Sequence, residues 1–209
     1  MSQSGSGVGP SNIGPTLITT RLMSEEIKQL RIVVVGDGSV GKTSFLKAYT
    51  QGTFPMEYIP TVFDNYIESY QRNNVNYIIN FVDTAGQEDF DRLRPISYKE
   101  VCVCLICFNV NNVASYENVK LKWLPEVRRY CGRDVPILLV GLQMDLRAAN
   151  TKENTVTKEA GQELAHLLGL FNYVECSAKT CAGCDEVIDM AIKEAISPKA
   201  QQKKCCTVL

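Results

Sequence analysis

The stretch Leu30-Arg-Ile-Val-Val-Val35-Gly36-Asp-Gly-Ser-Val-Gly41-Lys42-Thr43 decides the fold of this chain. Its first six residues form a β-branched run typical of a buried strand, and the residues from Lys42 to Thr50 are predicted to form a helix. The loop between them fits the pattern G-x-x-x-x-G-K-[ST], in which backbone N–H groups and a helix N-terminus face a polyphosphate. We therefore predict a phosphate-binding loop, with Lys42 reaching the β- and γ-phosphates and Thr43 binding Mg²⁺.

A second motif, Phe81-Val-Asp83-Thr-Ala-Gly86-Gln87-Glu88, ends another apolar run. The carboxylate of Asp83 is predicted to hold Mg²⁺ through water, and the N–H of Gly86 to meet a γ-phosphate. Gln87 is placed to orient an attacking water. A phosphate-binding-loop kinase is disfavoured, because nothing in the sequence resembles a lid with convergent arginines. The two motifs together predict a nucleotide hydrolase.

The rest of the chain alternates strand and helix patterns. Strands are predicted at Leu30–Val35, Tyr66–Gln71, Tyr77–Asp83, Val101–Val110, Val135–Val140 and Asn172–Cys176. Further helices are predicted over 116–130, where Pro125 should bend or weaken a turn, at Thr157–Leu168, and over 187–195. The turn at Arg72-Asn-Asn74 predicts a hairpin. This order predicts an α/β fold with a mainly parallel sheet.

Composition and charge exclude several classes of function. The chain has 209 residues and a formal net charge of −1, which does not support nucleic-acid binding. Its longest apolar run, Val101–Phe108, is shorter than the roughly 20 residues of a membrane-spanning helix. The N-terminus lacks the features of a signal peptide, so we expect an intracellular protein with reduced cysteines. Three cysteines in the apolar run, Cys102, Cys104 and Cys107, are predicted to be buried.

Both ends of the chain differ in composition from the middle. Residues 1–27 are rich in Ser, Gly, Pro and Thr and are predicted to be a disordered extension, with the domain at 28–196 and a tail at 197–209. The tail ends in Cys206-Thr-Val-Leu209, which fits the C-a-a-X prenylation pattern, and Leu at the last position favours geranylgeranyl. One lipid chain anchors weakly. Palmitoylation of Cys205 and the lysines at 199, 203 and 204 are predicted second signals.

Five ordered motifs together resemble one protein family. They are Thr61-Val-Phe-Asp-Asn-Tyr66, Asp83-Thr-Ala-Gly-Gln-Glu-Asp-Phe-Asp-Arg-Leu-Arg-Pro-Ile-Ser-Tyr98, Lys122-Trp-Leu-Pro-Glu-Val127, Cys176-Ser-Ala-Lys179 and the terminal Cys-Thr-Val-Leu. Over residues 29–209 the chain resembles the Ras superfamily of small GTPases, and within it the Rho family. The resemblance implies a phosphate-binding-loop NTPase that hydrolyses GTP with Mg²⁺. It also implies a six-stranded sheet with one antiparallel edge strand and helices on both faces.

The resemblance also implies roles for individual residues. The implied catalytic residues are Lys42, Thr61, Gly86 and Gln87, and the implied metal ligands are Thr43, Thr61 and, through water, Asp83. The implied nucleotide contacts are Asp37, Gly38, Ser39, Val40, Gly41, Lys42, Thr43, Ser44, Phe54, Tyr58, Pro60, Thr61, Gly86, Gln143, Asp145, Leu146, Ser177, Ala178 and Lys179. Phe54 is expected edge-on against guanine and Tyr58 over the phosphates. Residues 54–64 and 84–98 would form switches I and II, ordered by the γ-phosphate.

The partners implied by the resemblance are regulators and effectors. They comprise an exchange factor, a GTPase-activating protein that supplies an arginine finger in trans, a dissociation inhibitor, and effectors bound through both switches. The resemblance further implies a monomer on the cytoplasmic face of the plasma membrane, held by its prenylated tail, with a role in actin control.

The guanine-reading motif departs from the family pattern [NT]-K-x-D, because it reads Leu142-Gln-Met-Asp145. Asp145 can still accept from N1–H and the 2-amino group of guanine. Leu142 is expected not to link this loop to the phosphate loop, and Gln143 replaces a lysine. We therefore predict weakened binding, and a second interpretation is a fast-exchanging, mostly GTP-bound module with incidental hydrolysis.

Two further departures concern the branch of the family. The segment from Asp145 to Ser177 is too short for the insert helix typical of Rho proteins, and Val82 stands where Rho and Rac proteins usually carry Trp. The sequence leaves Rho, Rac and a divergent branch open.

Overall fold

A computed structural model describes residues 27–57, 59–148 and 155–197, and within them a six-stranded sheet carries the fold. The strands are β1 (Ile27–Val35), β2 (Phe63–Arg72), β3 (Val75–Thr84), β4 (Val103–Asn109), β5 (Ile137–Leu142) and β6 (Asn172–Glu175). Their order is β2-β3-β1-β4-β5-β6, in which β2 is antiparallel to β3 and the other neighbours are parallel. The predicted α/β sheet with one antiparallel edge strand is confirmed.

Helices cover both faces of this sheet. They are α1 (Lys42–Gln51), α2 (Val113–Asn118), α3 (Leu124–Cys131), α4 (Lys158–Leu167) and α5 (Cys184–Ala195). The core under α1 and α5 includes Leu105 and Cys107, and the core under α3 and α4 includes Cys104 and Ile106. Strand β4 is therefore buried on both faces, which explains its almost continuous apolar sequence.

The predicted hairpin is formed by β2 and β3, with Arg72 paired to Val75. The two turn residues, Asn73 and Asn74, have φ values of 51° and 60°. Asparagine tolerates this left-handed conformation, and two such residues in a row match the right-handed twist of the flanking strands. The hairpin brings the end of β3, with Asp83, to the edge of the sheet where β1 also ends.

Pro125 interrupts the helical pattern over 116–130 as predicted. Between α2 and α3 lies a π-helical turn, Val119–Trp123, which places Trp123 in the core with no exposed surface. Proline has no N–H, so the carbonyl four residues before it lacks its usual helical donor. The wider turn is one way in which a helix accommodates that loss.

Some predictions concern residues outside the described ranges. These are the N-terminal extension up to residue 26, Tyr58, and the tail from residue 198 with Cys205 and Cys206. The predicted burial of Cys102, Cys104 and Cys107 is confirmed. Within the described part of the chain, no helix is long and apolar enough to cross a membrane.

Candidate functional site

The loops that follow β1, β3 and β5 meet at one edge of the sheet, where the carboxyl ends of parallel strands form a crevice. A cleft of about 610 Å³ lies between the phosphate loop and the two switch segments. A second pocket of about 290 Å³ adjoins it. Gly41, Ser44, Phe54 and Gln143 line both. The two spaces therefore form one continuous site.

The side chain of Lys42 bonds to the backbone of the phosphate loop. Its Nζ donates to the carbonyl oxygens of Gly36 at 2.7 Å and Asp37 at 2.8 Å, and the residue is 6% exposed. Burial lowers the pKa of Lys42 to about 8. Ser39 and Gly41 have φ values of 62° and 105°. These left-handed residues turn the loop tightly around the head of α1, as a phosphate cradle requires.

Thr43, Thr61 and Asp83 gather their oxygens beside this loop. The Thr43 hydroxyl donates to Asp83 Oδ2 at 2.6 Å and lies 2.6 Å from the Thr61 hydroxyl. In the described part of the chain, Asp83 Oδ1 is buried without a hydrogen-bond partner. Burial raises the pKa of Asp83 to about 6. An unpaired buried carboxylate oxygen among hydroxyl oxygens fits Mg²⁺, which prefers oxygen ligands. These three residues would hold the ion, which supplies positive charge to phosphate oxygens.

Gly86 brings the start of switch II into contact with the phosphate loop. A Cβ atom at this position would lie 2.3 Å from the carbonyl carbon of Asp37 and 2.4 Å from the backbone nitrogen of Gly38. Gln87 follows and lines the cleft. Its Cγ lies 3.5 Å from where a Cβ of Gly38 would be. Only glycine at position 86 allows Gln87 to come this close to the phosphate loop.

The smaller pocket is built around Asp145. Ser177 is fully buried and its hydroxyl donates to Asp145 Oδ1 at 2.6 Å, which fixes the carboxylate. Leu146, Ala178 and Lys179 complete the pocket wall. A fixed carboxylate at the mouth of an apolar pocket can accept two adjacent N–H groups of a planar base.

Leu142 does not link the base loop to the phosphate loop, as expected, and Gln143 makes this link instead. Its Nε2 donates to the Val40 carbonyl oxygen at 3.0 Å, and its Oε1 accepts from Asn109 Nδ2 at 3.0 Å. The backbone of Gln143 is left-handed, with φ at 61°. Leu142 is buried in the core instead. Glutamine supplies a donor and an acceptor on one amide, so a single side chain joins three loops.

Three of the predicted contact residues have side chains that do not line the cleft. The Asp37 carboxylate faces away from the cleft and bonds to Asn118 and Trp123. Val40 has its side chain in the core, so these two residues offer only backbone atoms to the cradle. Pro60 is exposed and lines neither cavity.

Sequence reasoning missed several residues that contribute to the site. Asn109 and Asn111 both bond to Gln143, and Lys47 lines the cleft. The run Asn109-Val-Asn-Asn112 follows directly on a buried strand. Polar residues at the carboxyl end of a parallel strand are a pattern that could have indicated their place.

Comparison with known families agrees with this geometry. The model of the Ras family matches residues 31–197, which is most of the chain. The chain belongs to the Ras family. Ras-family small GTPase domains bind guanine nucleotide and Mg²⁺ and interact with exchange factors, GTPase-activating proteins and effectors. This Ras-family chain therefore carries a GTP-binding switch domain.

Proposed function

We propose that this chain is a Rho-type small GTPase that cycles between GDP and GTP, hydrolyses GTP and signals to effectors in control of the actin cytoskeleton. The proposal rests on one observation above others. A cleft that contains Lys42 and Gln87 opens directly into a pocket whose polar wall is the fixed carboxylate of Asp145.

Guanine selectivity is the first part of the proposal and can be tested by exchanging hydrogen-bond partners. Guanine presents two donors, N1–H and the 2-amino group, and Asp145 can accept both. In an Asp145→Asn variant the side chain offers one donor and one acceptor, which complements the N1–H and 2-oxo groups of xanthine. The wild type should bind GDP and reject XDP, and the variant should reverse this order. Unchanged preference in the variant would place the base elsewhere.

Hydrolysis is the second part of the proposal. Gln87 lines the cleft beside Gly38, which supports a role in orienting a water toward a γ-phosphate. Among the described residues that line the cleft there is no arginine. An arginine finger must then come from a GTPase-activating protein, as in related phosphoryl-transfer systems. Slow intrinsic hydrolysis with strong activation by a partner is the expected kinetic pattern.

The Rho-type assignment rests on the two switch sequences and on the surface that they present. Large apolar side chains are exposed on both segments, including Ile59, Val62, Leu93 and Ile96. Such a surface suits exchange factors, a dissociation inhibitor and effectors that read the nucleotide state. Actin control is part of the proposal through the resemblance of these sequences to Rho proteins.

Membrane attachment completes the proposal. The pattern Cys206-Thr-Val-Leu209 supports geranylgeranylation of Cys206, with Cys205 as a palmitoylation site. The lipidated chain would act as a monomer on the cytoplasmic face of the plasma membrane. Two lipid groups, or one with nearby lysines, are needed for a stable anchor.

The second interpretation, a fast-exchanging module with incidental hydrolysis, rests on Leu142 and on Gln143 in place of a lysine. The hydrogen bond from Gln143 to the Val40 carbonyl oxygen supports the regulated switch over this module. Release of a fluorescent GDP analogue, measured together with single-turnover hydrolysis, separates the two. Release much faster than hydrolysis would favour the module.

A further inference from the structure

Behind the nucleotide cleft, a closed set of contacts joins the phosphate loop to switch II through Trp123. We propose that Trp123 is a positioning residue for GTP hydrolysis, which holds Gln87 at a fixed place relative to the phosphate loop. This inference rests on the proposed GTPase function and adds a residue that lies outside the cleft.

The first half of the set is anchored on Asp37, the second residue of the phosphate loop. Trp123 Nε1 donates to Asp37 Oδ1 at 2.7 Å, and Asn118 Nδ2 donates to Oδ2 at 2.7 Å. The backbone oxygen of Asp37 accepts from Lys42 Nζ at 2.8 Å. Asp37 is therefore held on one side by the lysine of the cradle and on the other by the helical segment.

The second half is anchored on Arg94 in switch II. Its guanidinium lies 4.7 Å from the centre of the Trp123 ring, within the range of a cation–π contact. Its Nη1 donates to the Ala85 carbonyl oxygen at 2.9 Å, and its Nε donates to Glu126 at 2.7 Å. Arg94 is 3% exposed, so these bonds are shielded from water and from salt.

The set closes at Gly86. Ala85 precedes Gly86, which lies against the Asp37–Gly38 peptide so closely that a Cβ would be 2.3 Å from the Asp37 carbonyl carbon. The path thus runs from Asp37 through Trp123 and Arg94 to Ala85, and returns to Asp37 through Gly86. Gln87 directly follows Gly86 in the sequence. A shift of the indole displaces both of its partners, and Gln87 moves with Ala85.

The interruption of the helix places the indole of Trp123 between Asp37 and Arg94. Trp123 is the last residue of the π-helical turn, and Pro125 follows in the first turn of α3. One extra residue in a turn rotates the next residues by about 100° around the helix axis, relative to a continuous α-helix. The turn therefore determines where the indole N–H meets the phosphate loop.

The chemistry of the set points to precise positioning rather than to stability alone. Buried charged groups add little net stability, because their desolvation offsets their attraction. An apolar contact would pack the helix equally well. Hydrogen bonds to the Asp37 carboxylate and the Ala85 carbonyl oxygen fix direction as well as distance, which apolar packing does not.

Trp123→Phe is the main test, because it keeps an aromatic ring in the core and removes the N–H donor to Asp37 together with the smaller ring of the buried indole. We expect single-turnover GTP hydrolysis to fall about tenfold, since small misplacements of catalytic groups have effects of this size. Affinity for GDP should fall less than the hydrolysis rate does, since no contact in the base pocket is altered and Lys42 still bonds to the Asp37 carbonyl oxygen. Thermal unfolding of both proteins in GDP shows whether the variant is folded.

Lys122→Met is the matched control. Lys122 Nζ lies 5.0 Å from the centre of the same ring and 3.3 Å from Asp91, which also pairs with Arg94, but it has no hydrogen bond to Asp37 or Ala85. Hydrolysis by this variant should equal that of the wild type. An equal loss in both variants would mean that general packing around the ring, not the Asp37 bond, controls the rate, and would overturn the proposal.

A double-mutant cycle tests the path through Asp37. If Trp123 acts through this carboxylate, Trp123→Phe combined with Asp37→Ala should hydrolyse GTP no more slowly than Asp37→Ala alone. Independent, additive losses would overturn the proposal, and so would wild-type hydrolysis by Trp123→Phe.

The single tryptophan of the chain provides a readout that does not need catalysis. Its fluorescence in the wild type should change when GDP is replaced by a non-hydrolysable GTP analogue, and Asp37→Ala should remove most of that change. No hydrolysis by the wild type would refute the proposed function, yet the fluorescence response would still report the Asp37–Trp123 coupling. The same fluorescence change in Asp37→Ala as in the wild type would refute the coupling itself.

Discussion

At the scale of single residues, Gln143 shows how one amide can replace the contacts expected from two other side chains. Its donor and its acceptor point to different loops, so it holds the base loop, the phosphate loop and the end of β4 together. Leu142 is then free to fill the core. The link between the base loop and the phosphate loop is therefore made at position 143 rather than at position 142.

The role of Gln143 as the link between the two loops predicts different results for two substitutions of this residue. Gln143→Glu has the same shape but replaces the donor to Val40 with a negatively charged acceptor. We expect GDP release about tenfold faster, because the Val40 carbonyl oxygen loses its donor and faces a negatively charged carboxylate. Gln143→Lys keeps a donor and serves as the control, with release within about threefold of the wild type. Release of a fluorescent GDP analogue measures both, and equal rates for all three proteins would contradict the role of Gln143 as the link.

Gln87 supplies a second prediction at this scale. Gln87→Leu removes the amide that orients water and leaves the phosphate loop and the base pocket intact. Single-turnover hydrolysis should fall by about two orders of magnitude, because water positioning is much of what the protein contributes. Affinity for GTP should stay near that of the wild type. If the variant hydrolyses GTP normally, the water is positioned by another group.

At the scale of elements, the junction between β3 and switch II depends on one close backbone approach. Gly86→Ala would place a methyl group 2.3 Å from backbone atoms of the phosphate loop, which cannot move aside as a side chain could. The start of switch II must then shift. We expect retained GDP binding and hydrolysis at least about tenfold slower, since Gln87 moves with the backbone.

Isothermal titration with GDP and single-turnover assays with GTP separate these two effects of Gly86→Ala. Loss of GDP binding would indicate that the backbone of the phosphate loop, rather than that of switch II, has shifted. Normal hydrolysis would show that the close approach of Gly86 to the phosphate loop is not needed for the reaction.

The elements also show how far the sequence alone could be used. Local patterns were sufficient for the strand–loop–helix unit at Gly36–Thr43, for the hairpin at Asn73 and Asn74, and for the break at Pro125. Each depends on residues close in sequence, whose conformational preferences decide the structure. The placement of Thr43 beside Asp83 follows from the sheet order, since β1 and β3 are neighbours.

The missed contacts all depend on tertiary register. Asp37 meets Trp123, and Asn109 meets Gln143, only after the strands have paired and the helices have packed. Nothing in the local sequence of Asp37 distinguishes a side chain that faces the phosphate from one that faces the opposite way. Side-chain direction at such loop positions needs the fold.

At the scale of the whole molecule, the prenylation pattern at Cys206 predicts where the protein is found in the cell. Cys206→Ser should move the protein expressed in eukaryotic cells from the membrane fraction to the soluble fraction. The nearby lysines contribute about 1 kcal/mol each at an anionic surface, which is too little to anchor the chain alone. Cys205→Ser is the comparison, since it removes only the second lipid site. Membrane retention of Cys206→Ser would refute the prenylation prediction.

The continuous site has a thermodynamic consequence for the whole molecule. Its walls include the loops that follow the first and the last strands of the sheet in chain order, so a bound nucleotide would act as a removable cross-link between the two ends of the domain. A ligand that binds only the folded state raises the free energy of unfolding by about 2.7 kcal/mol at 100 times its Kd. Nucleotide occupancy therefore adds to the free energy of unfolding of the whole domain, and removal of the nucleotide should lower the melting temperature.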